Sequence, residues 1–329
     1  MSALAPTLQT FFTDRLSRQR NASPHTIAAY RDTMRLLLAF AEEQTGNSPS
    51  NLDIADLDTR LIGDFLDHLE RDRKNSARTR NARLAAIHSL FRYAALCHPE
   101  HAALIQRVLA MPPKRTDRTL VTYLNEHETS ALLAAPDRAS WTGRRDHALL
   151  LVAAQTGLRA SELTGLTCSD VHLGVGAHIS CVGKGRKQRI TPLTRSTVAV
   201  LRVWLHERNG EPADPLFPTS QGARLSRDAL ERRIAKYLPI AAKSSPTLTE
   251  KKVTPHTLRH TAAMRLLHAG IDTAVIALWL GHESIETTRI YLHADLTLKE
   301  RALTRTTPPS SKPGRYQPPD KLLAFLENL

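Results

Sequence analysis

Cysteine is scarce in this 329-residue chain: Cys97, Cys168 and Cys181 are its only three, and none belongs to a C-x-x-C pair. An odd, scattered set excludes a disulfide framework and a thiolate zinc site, and fits a reducing compartment. Long hydrophobic runs are also missing. No run exceeds the seven residues of Ala148 to Ala154, far short of the ~20 residues that span a bilayer. Met1 to Phe12 has no basic start followed by an apolar stretch, so no secretory signal is expected. No G-x-x-x-x-G-K-[ST] loop and no carboxylate cluster of the two-metal nuclease kind occurs, which argues against ATP- or metal-driven chemistry. There is no internal repeat. These absences describe a soluble cytoplasmic protein.

Positive charge, by contrast, is plentiful. Lys and Arg number 45 against 32 Asp and Glu, a net charge of +13, while the hydrophobic share of 41% is ordinary for a globular chain. Such a surplus attracts polyanions and favours nucleic acid as partner. Most of it is arginine, whose planar fork suits bidentate phosphate contacts.

The first 110 or so residues read as helices joined by polar turns. Ser23-Pro24 starts one, with Ser23 as cap and Pro24 at the first helical position. Ile27, Tyr30, Met34, Leu37, Leu38 and Ala41 then give it one apolar face. Further helices fit 60–71 and 79–96, the latter with Leu84, Ile87, Leu90, Phe91 and Ala94 on one side. Between them, Arg71 to Arg83 holds six basic residues and one acidic one. A solvated face and a phosphate contact both fit that run. Met111 to Arg118, with paired prolines, breaks the pattern and reads as a linker. Beyond it, helices fit 126–135, 144–155, 196–207 and 227–238. A hairpin fits 177–182 and 187–193 around Gly183-Lys184-Gly185-Arg186.

Several residues can carry chemistry. Thr254-Pro255 starts a helix and places His256 and Arg259 at i and i+3 in its first turns, where free N–H groups and positive potential suit an anion. A plain helix cap explains the same residues. His256 and His260 at i and i+4 would suit zinc, but the H-E-x-x-H pattern needs Glu where Thr257 stands. Arg159 enters a helix with Glu162 three residues on, placed to hold the guanidinium or to form an ordinary surface pair. Lys184 lies between two glycines at the hairpin tip. Gly281 reads as a helix C-cap with His282 just beyond, and Tyr291 follows on another short helix.

Taken together, Thr156-Gly157-Leu158-Arg159-Ala160-Ser161-Glu162-Leu163, the hairpin lysine, His256-Thr257-Leu258-Arg259-His260, Leu280-Gly281-His282 and Tyr291 resemble the signature of the tyrosine recombinases, the phage-integrase and Xer-type family. The resemblance implies a mainly α, two-domain protein. A four-helix, SAM-like core-binding domain would span 1–111 and a linker 112–119. A mostly α catalytic domain with a small antiparallel sheet would span 120–306, and a Pro-rich tail with a C-terminal helix 307–329.

It also implies that Tyr291 attacks phosphorus to form a 3′-phosphotyrosyl link, leading to a Holliday junction. Arg159 and Arg259 would clamp the phosphate and His282 would donate to it. His256 would act as base or donor, and Lys184 as acid to the leaving 5′-oxygen. Glu162 and His260 would support them. Arg73, Lys74, Arg78, Arg80, Arg83, Arg186 and Lys187 would contact DNA. No cofactor or metal is implied. The expected partner is double-stranded DNA with recombination half-sites, bridged by a tetramer of this chain alone or with a paralogous recombinase. A type IB topoisomerase and a catalytically silent DNA-binding regulator are the alternatives. Three departures stand out: Cys168 in place of an aromatic, a long Lys243–Lys252 segment, and a tail whose Leu322, Leu323, Phe325, Leu326 and Leu329 would dock on a neighbouring protomer or pack on their own domain.

Overall fold

The computed structural model describes residues 4–116, 121–183, 188–282, 284 and 286–294. They belong to two compact units, Met1–Arg118 and Thr119–Leu329. No described helix is long and apolar enough to cross a membrane.

In the first unit, α1 (Leu4–Thr10) runs into a π-helix (Phe11–Gln19), followed by α2 (Pro24–Thr45), α3 (Thr59–Arg71), α4 (Ala77–Cys97) and α5 (Ala102–Leu109). Ser23 caps α2 by accepting from Thr26 N, and Asp58 and Ser76 cap α3 and α4 in the same way. Met34, Leu37 and Ala41 of α2 meet Ile62, Phe65 and Leu66 of α3 and all five predicted residues of α4 in one core. Ile27, Tyr30 and Leu38 pack at its margin. The predicted linker begins pinned to this unit. Lys114 N donates to Asn81 Oδ1 at 3.0 Å, Asn81 Nδ2 donates to Lys114 O at 2.8 Å, and the Lys114 ammonium pairs with Glu70.

The second unit holds α6 (Glu126–Ala134), α7 (Trp141–Thr156), α8 (Ala160–Gly165), α9 (Arg195–Arg208), α10 (Arg227–Ala242), α11 (Pro255–His268), α12 (Thr273–Leu280) and α13 (Glu286–Ala294). Its antiparallel sheet is ordered β1 (Val171–His172), β2 (His178–Val182), β3 (Gln188–Pro192). The hairpin predicted from sequence is present, in the register Val182↔Gln188 to His178↔Pro192. The short third strand carries no periodicity of its own at two residues and is set by pairing alone.

α10 continues four residues past its predicted end, with Pro239 inside it. A proline there forfeits one i→i−4 hydrogen bond. Burial of Tyr237 and Ala241 on either side of it offsets that loss. The Lys243–Lys252 segment is folded, not loose. It forms a 3₁₀ turn (Pro246–Glu250), and Lys251 Nζ donates at 2.7 Å to Glu128, a fully buried carboxylate on α6 that also accepts from Thr247.

α7 is the buried spine and packs against α6, α9 and α11. It stops at Gly157, whose φ of 64° is left-handed. A Cβ there would meet Leu280 Cδ2 at 2.7 Å. Glycine is therefore required both for the turn and for the approach of α12 to the segment carrying Arg159.

Candidate active site

Three of the signature segments sit at the ends of elements, while Tyr291 lies within α13. Arg159 precedes α8, His256 and Arg259 occupy the first turns of α11, and His282 follows the left-handed Gly281 (φ 65°) that ends α12. Thr254 caps α11 by accepting from Thr257 N, and Pro255 takes the first helical position, as the sequence predicts.

Arg159, His256 and Arg259 meet in one cleft of ≈ 280 Å³, lined also by Ala160, Thr254, Pro255 and, from α10, Arg227 and Glu231. Three guanidinium groups at the N-terminus of a 14-residue helix make a site for an anion.

A second set of contacts fixes these arginines. Glu162, with a side chain 3% exposed, accepts from Arg159 N at 2.6 Å and from Arg159 Nη1 at 2.8 Å. It also accepts from Arg189 Nη2 at 2.7 Å. Arg159 Nη2 donates to Gly281 O at 2.9 Å, and Arg259 donates to Gly157 O and Leu280 O, both at 2.7 Å. Arg189 Nη1 also donates to Leu280 O. Guanidinium groups from the residue capping α8, from α11 and from β3 thus converge on two consecutive carbonyls. Burial, then the charges of Arg159 and Arg189, lower the Arg259 guanidinium to about 10, still a cation at neutral pH.

Tyr291 lies in a small apolar cluster with Ala263, Met264, Leu267, Ile276 and Leu280, only 1% exposed. Its hydroxyl is 3.1 Å from His260 Nδ1. His282 stacks on it, with centroids 6.4 Å apart, and its Nδ1 is held 2.8 Å from the buried Thr288 hydroxyl. Burial pushes the phenol up to about 12, although Arg259 and Arg159 pull the other way. His260 is lowered to about 4 by burial, then by His256, Arg259 and His282. Burial and then the surrounding arginines lower His282 to about 4 and also depress His256. At neutral pH all three imidazoles are uncharged.

The structure therefore brings together Arg159, Glu162, His256, Arg259, His260, His282 and Tyr291. Lys184, Arg186 and Lys187 lie outside the described residues, as does the tail with Leu322, Leu323, Phe325, Leu326 and Leu329. Of the basic run, Arg73, Lys74 and Arg78 are exposed and Arg83 is half-buried. Arg80 faces inward, 7% exposed and 3.7 Å from Glu70, rather than outward with its neighbours. Among the described residues no group of three or more His, Cys, Asp or Glu is placed to hold a metal ion.

Sequence reasoning missed three participants. Arg189 stands on β3 opposite Cys181, on the inward side of the strand, while Ile190 points outward at 64% exposure. Thr288 precedes Tyr291 by three residues, and that helical spacing was its only signal. Arg227 was visible only as the first residue of α10.

Comparison with known proteins agrees with this geometry. Residues 122–297 match the model of the phage integrase family, and residues 10–96 that of the phage integrase N-terminal SAM-like domain. The y4rC protein of Sinorhizobium fredii is 57% identical over 328 residues, 100% of this chain and 99% of that one. The tyrosine recombinase XerC of Pelobacter propionicus is 36% identical over 283 residues, covering 85% of this chain and 88% of that one. Among solved structures, the XerH site-specific recombinase bound to palindromic difH substrate, in its post-cleavage complex, shares the fold. It has a TM-score of 0.67 at 24% identity, covering 87% of this chain and 81% of that one. The chain belongs to the phage integrase family of tyrosine recombinases.

Proposed function

We propose that this protein is a site-specific DNA recombinase that cuts and rejoins strands through a covalent link to Tyr291. One observation carries the reading: Arg159 and Arg259, 100 residues apart in sequence, line one anion-sized cleft with His256, and Tyr291 is coupled to that cleft's helix.

Tyr291 attacks the scissile phosphorus and holds the 3′-phosphate, releasing a 5′-hydroxyl. Arg159 and Arg259 neutralise the non-bridging oxygens as charge builds in the transition state. His256, neutral and in the cleft, donates one hydrogen bond to the phosphate, and His282 donates another. Lys184 protonates the leaving 5′-oxygen. Glu162 holds Arg159. Because the tyrosyl phosphodiester keeps the energy of the bond it replaces, rejoining needs no ATP.

Residues 1–111 form the core-binding domain, 112–119 the linker and 120–306 the catalytic domain. Arg73, Lys74, Arg78, Arg83, Arg186 and Lys187 contact phosphates, with Arg80 bracing that surface through Glu70. Four protomers bridge two DNA sites, and the exposed apolar residues Val275 and Leu278 of α12, with Ile271 just before it, support a contact between them.

The test is Tyr291→Phe. The full-length chain is mixed with a random-sequence duplex library, and covalent protein–DNA adducts are recovered from denaturing gels. Wild type should give adducts, and Tyr291→Phe should give none while still shifting DNA in a native gel. No adduct from wild type would point to the silent regulator. Relaxation of a supercoiled circle by a single protomer, without strand exchange, would point to the topoisomerase.

A further inference from the structure

A phenol held near 12 is ionised in only about 10⁻⁵ of molecules at pH 7, so Tyr291 needs a proton acceptor in place when it attacks. His256 and Lys184 have other work in the scheme above. His260 has the geometry. Its Nδ1 lies 3.1 Å from the Tyr291 hydroxyl, within the ≈ 2.6–3.2 Å reach that proton transfer requires. Its ring meets that of His256 edge-on, with centroids 4.1 Å apart. His256 lines the phosphate cleft and Tyr291 does not, so His260 stands between the nucleophile and the phosphate-binding groups.

The titratable and charged groups facing it are His256 and Arg259 on its own helix, His282 after α12 and Tyr291 on α13. This company and its burial keep the imidazole neutral at pH 7. A neutral ring with its proton on Nε2 offers the Nδ1 lone pair to the phenol.

We propose that His260 is the general base of strand cleavage, an assignment that rests on Tyr291 being the nucleophile. The Tyr291 O–H bond breaks and its proton passes to His260 Nδ1 as the Oη–P bond forms. The P–O5′ bond breaks, and the leaving oxygen takes a proton from Lys184. In rejoining, the 5′-hydroxyl returns its proton to Lys184 and attacks phosphorus, and the departing phenolate recovers its own from His260. No oxidant, metal or nucleotide enters the balance.

The experiment uses a duplex recovered by covalent capture on the full-length wild type, nicked beside the cleaved bond so that cleavage is trapped. Single-turnover cleavage is followed from pH 6 to 9 for wild type, His260→Ala and His260→Asn. Asparagine can accept the phenol's hydrogen bond but cannot take its proton. Wild type should give a nearly flat profile, since its base is already deprotonated throughout. Both variants should shift DNA as wild type does but cleave about 10²–10⁴-fold more slowly at pH 7. Their rates should rise about tenfold per pH unit, as hydroxide replaces the imidazole.

A flat profile in both variants would overturn the assignment. So would recovery of the wild-type rate by His260→Asn, because His260 would then only position the phenol. If His260→Ala does not fold, His260→Asn alone decides. If wild type captures no duplex, the proposed function itself falls, a result distinct from either.

Discussion

Replacing Glu162 with alanine removes the acceptor shared by two arginines and leaves Arg189, a side chain 9% exposed, without its carboxylate. Among the described residues Arg189 Nε already has no hydrogen-bond partner, so little compensation is at hand. Stripping one partner from a buried ion pair costs about 3–5 kcal/mol, because an uncompensated charge stays in low dielectric. In a unit the size of Thr119–Leu329 each kcal/mol moves the midpoint by about 2–4 °C, so the transition should fall by roughly 6–20 °C. The assay is selective. All three tryptophans, Trp141, Trp204 and Trp279, lie in that unit, so intrinsic tryptophan fluorescence follows its melting alone. Glu162→Gln should fall between, since an amide oxygen can serve one arginine while its NH₂ faces the other. Covalent adduct formation by Glu162→Ala at a permissive temperature should drop at least about tenfold, or 1.4 kcal/mol of transition-state stabilisation. A midpoint shift below about 2 °C with unchanged adduct formation would refute the reasoning. The carbonyls of Leu280 and Gly281 would then suffice to hold the arginines.

Two further outcomes follow from the same structure. His260 and His282, near 4 when folded and about 6.5 when unfolded, bind fewer protons in the native state. The second unit should therefore lose stability as pH falls from 6.5 to 4 and level off below. Tyr291 has the opposite sign and should weaken the unit as pH rises from 10 towards 12. Urea titrations followed by tryptophan fluorescence, showing equal midpoints at pH 4.5 and 6.5, would contradict this. Within the basic run, Arg78→Ala should weaken DNA binding and reduce the salt slope by about one, whereas Arg80→Ala should leave the slope intact and lower the stability of the first unit. Salt-dependent gel shifts and thermal melting separate the two, and equal salt slopes for both variants would refute the distinction.

Elements with strong local punctuation were legible. Ser23-Pro24 and Thr254-Pro255 announce two helix starts, and the glycine turn announces the hairpin. The residues that meet at the candidate site, Arg159, Glu162, His256, Arg259, His260, His282 and Tyr291, were legible through spaced motifs. Arg80 was misread although a signal existed: it lies four residues before Leu84 and seven before Ile87, on the apolar face of α4. Arg189 was hidden for a deeper reason. On β3 the apolar Ile190 faces out and the cation faces in, reversing the alternation a strand normally shows, because the partner of Arg189 is a carboxylate 27 residues upstream. The pairing of His260 with Tyr291 likewise joins residues 31 apart on separate helices, beyond the reach of any periodicity.

The convergence of Arg159, Arg189 and Arg259 on the carbonyls of Leu280 and Gly281 has a consequence for sequence variation. What the arginines recognise there is main chain, which no substitution deletes. Tolerance at the two positions is therefore a matter of shape. Residue 280 can vary among apolar side chains that fill the same space without altering the grip. Residue 281 has no such latitude: its left-handed φ strains any Cβ, and that atom would fall 2.5 Å from Arg189 Nη1. One hydrogen atom is the whole side chain this corner of the protein can house.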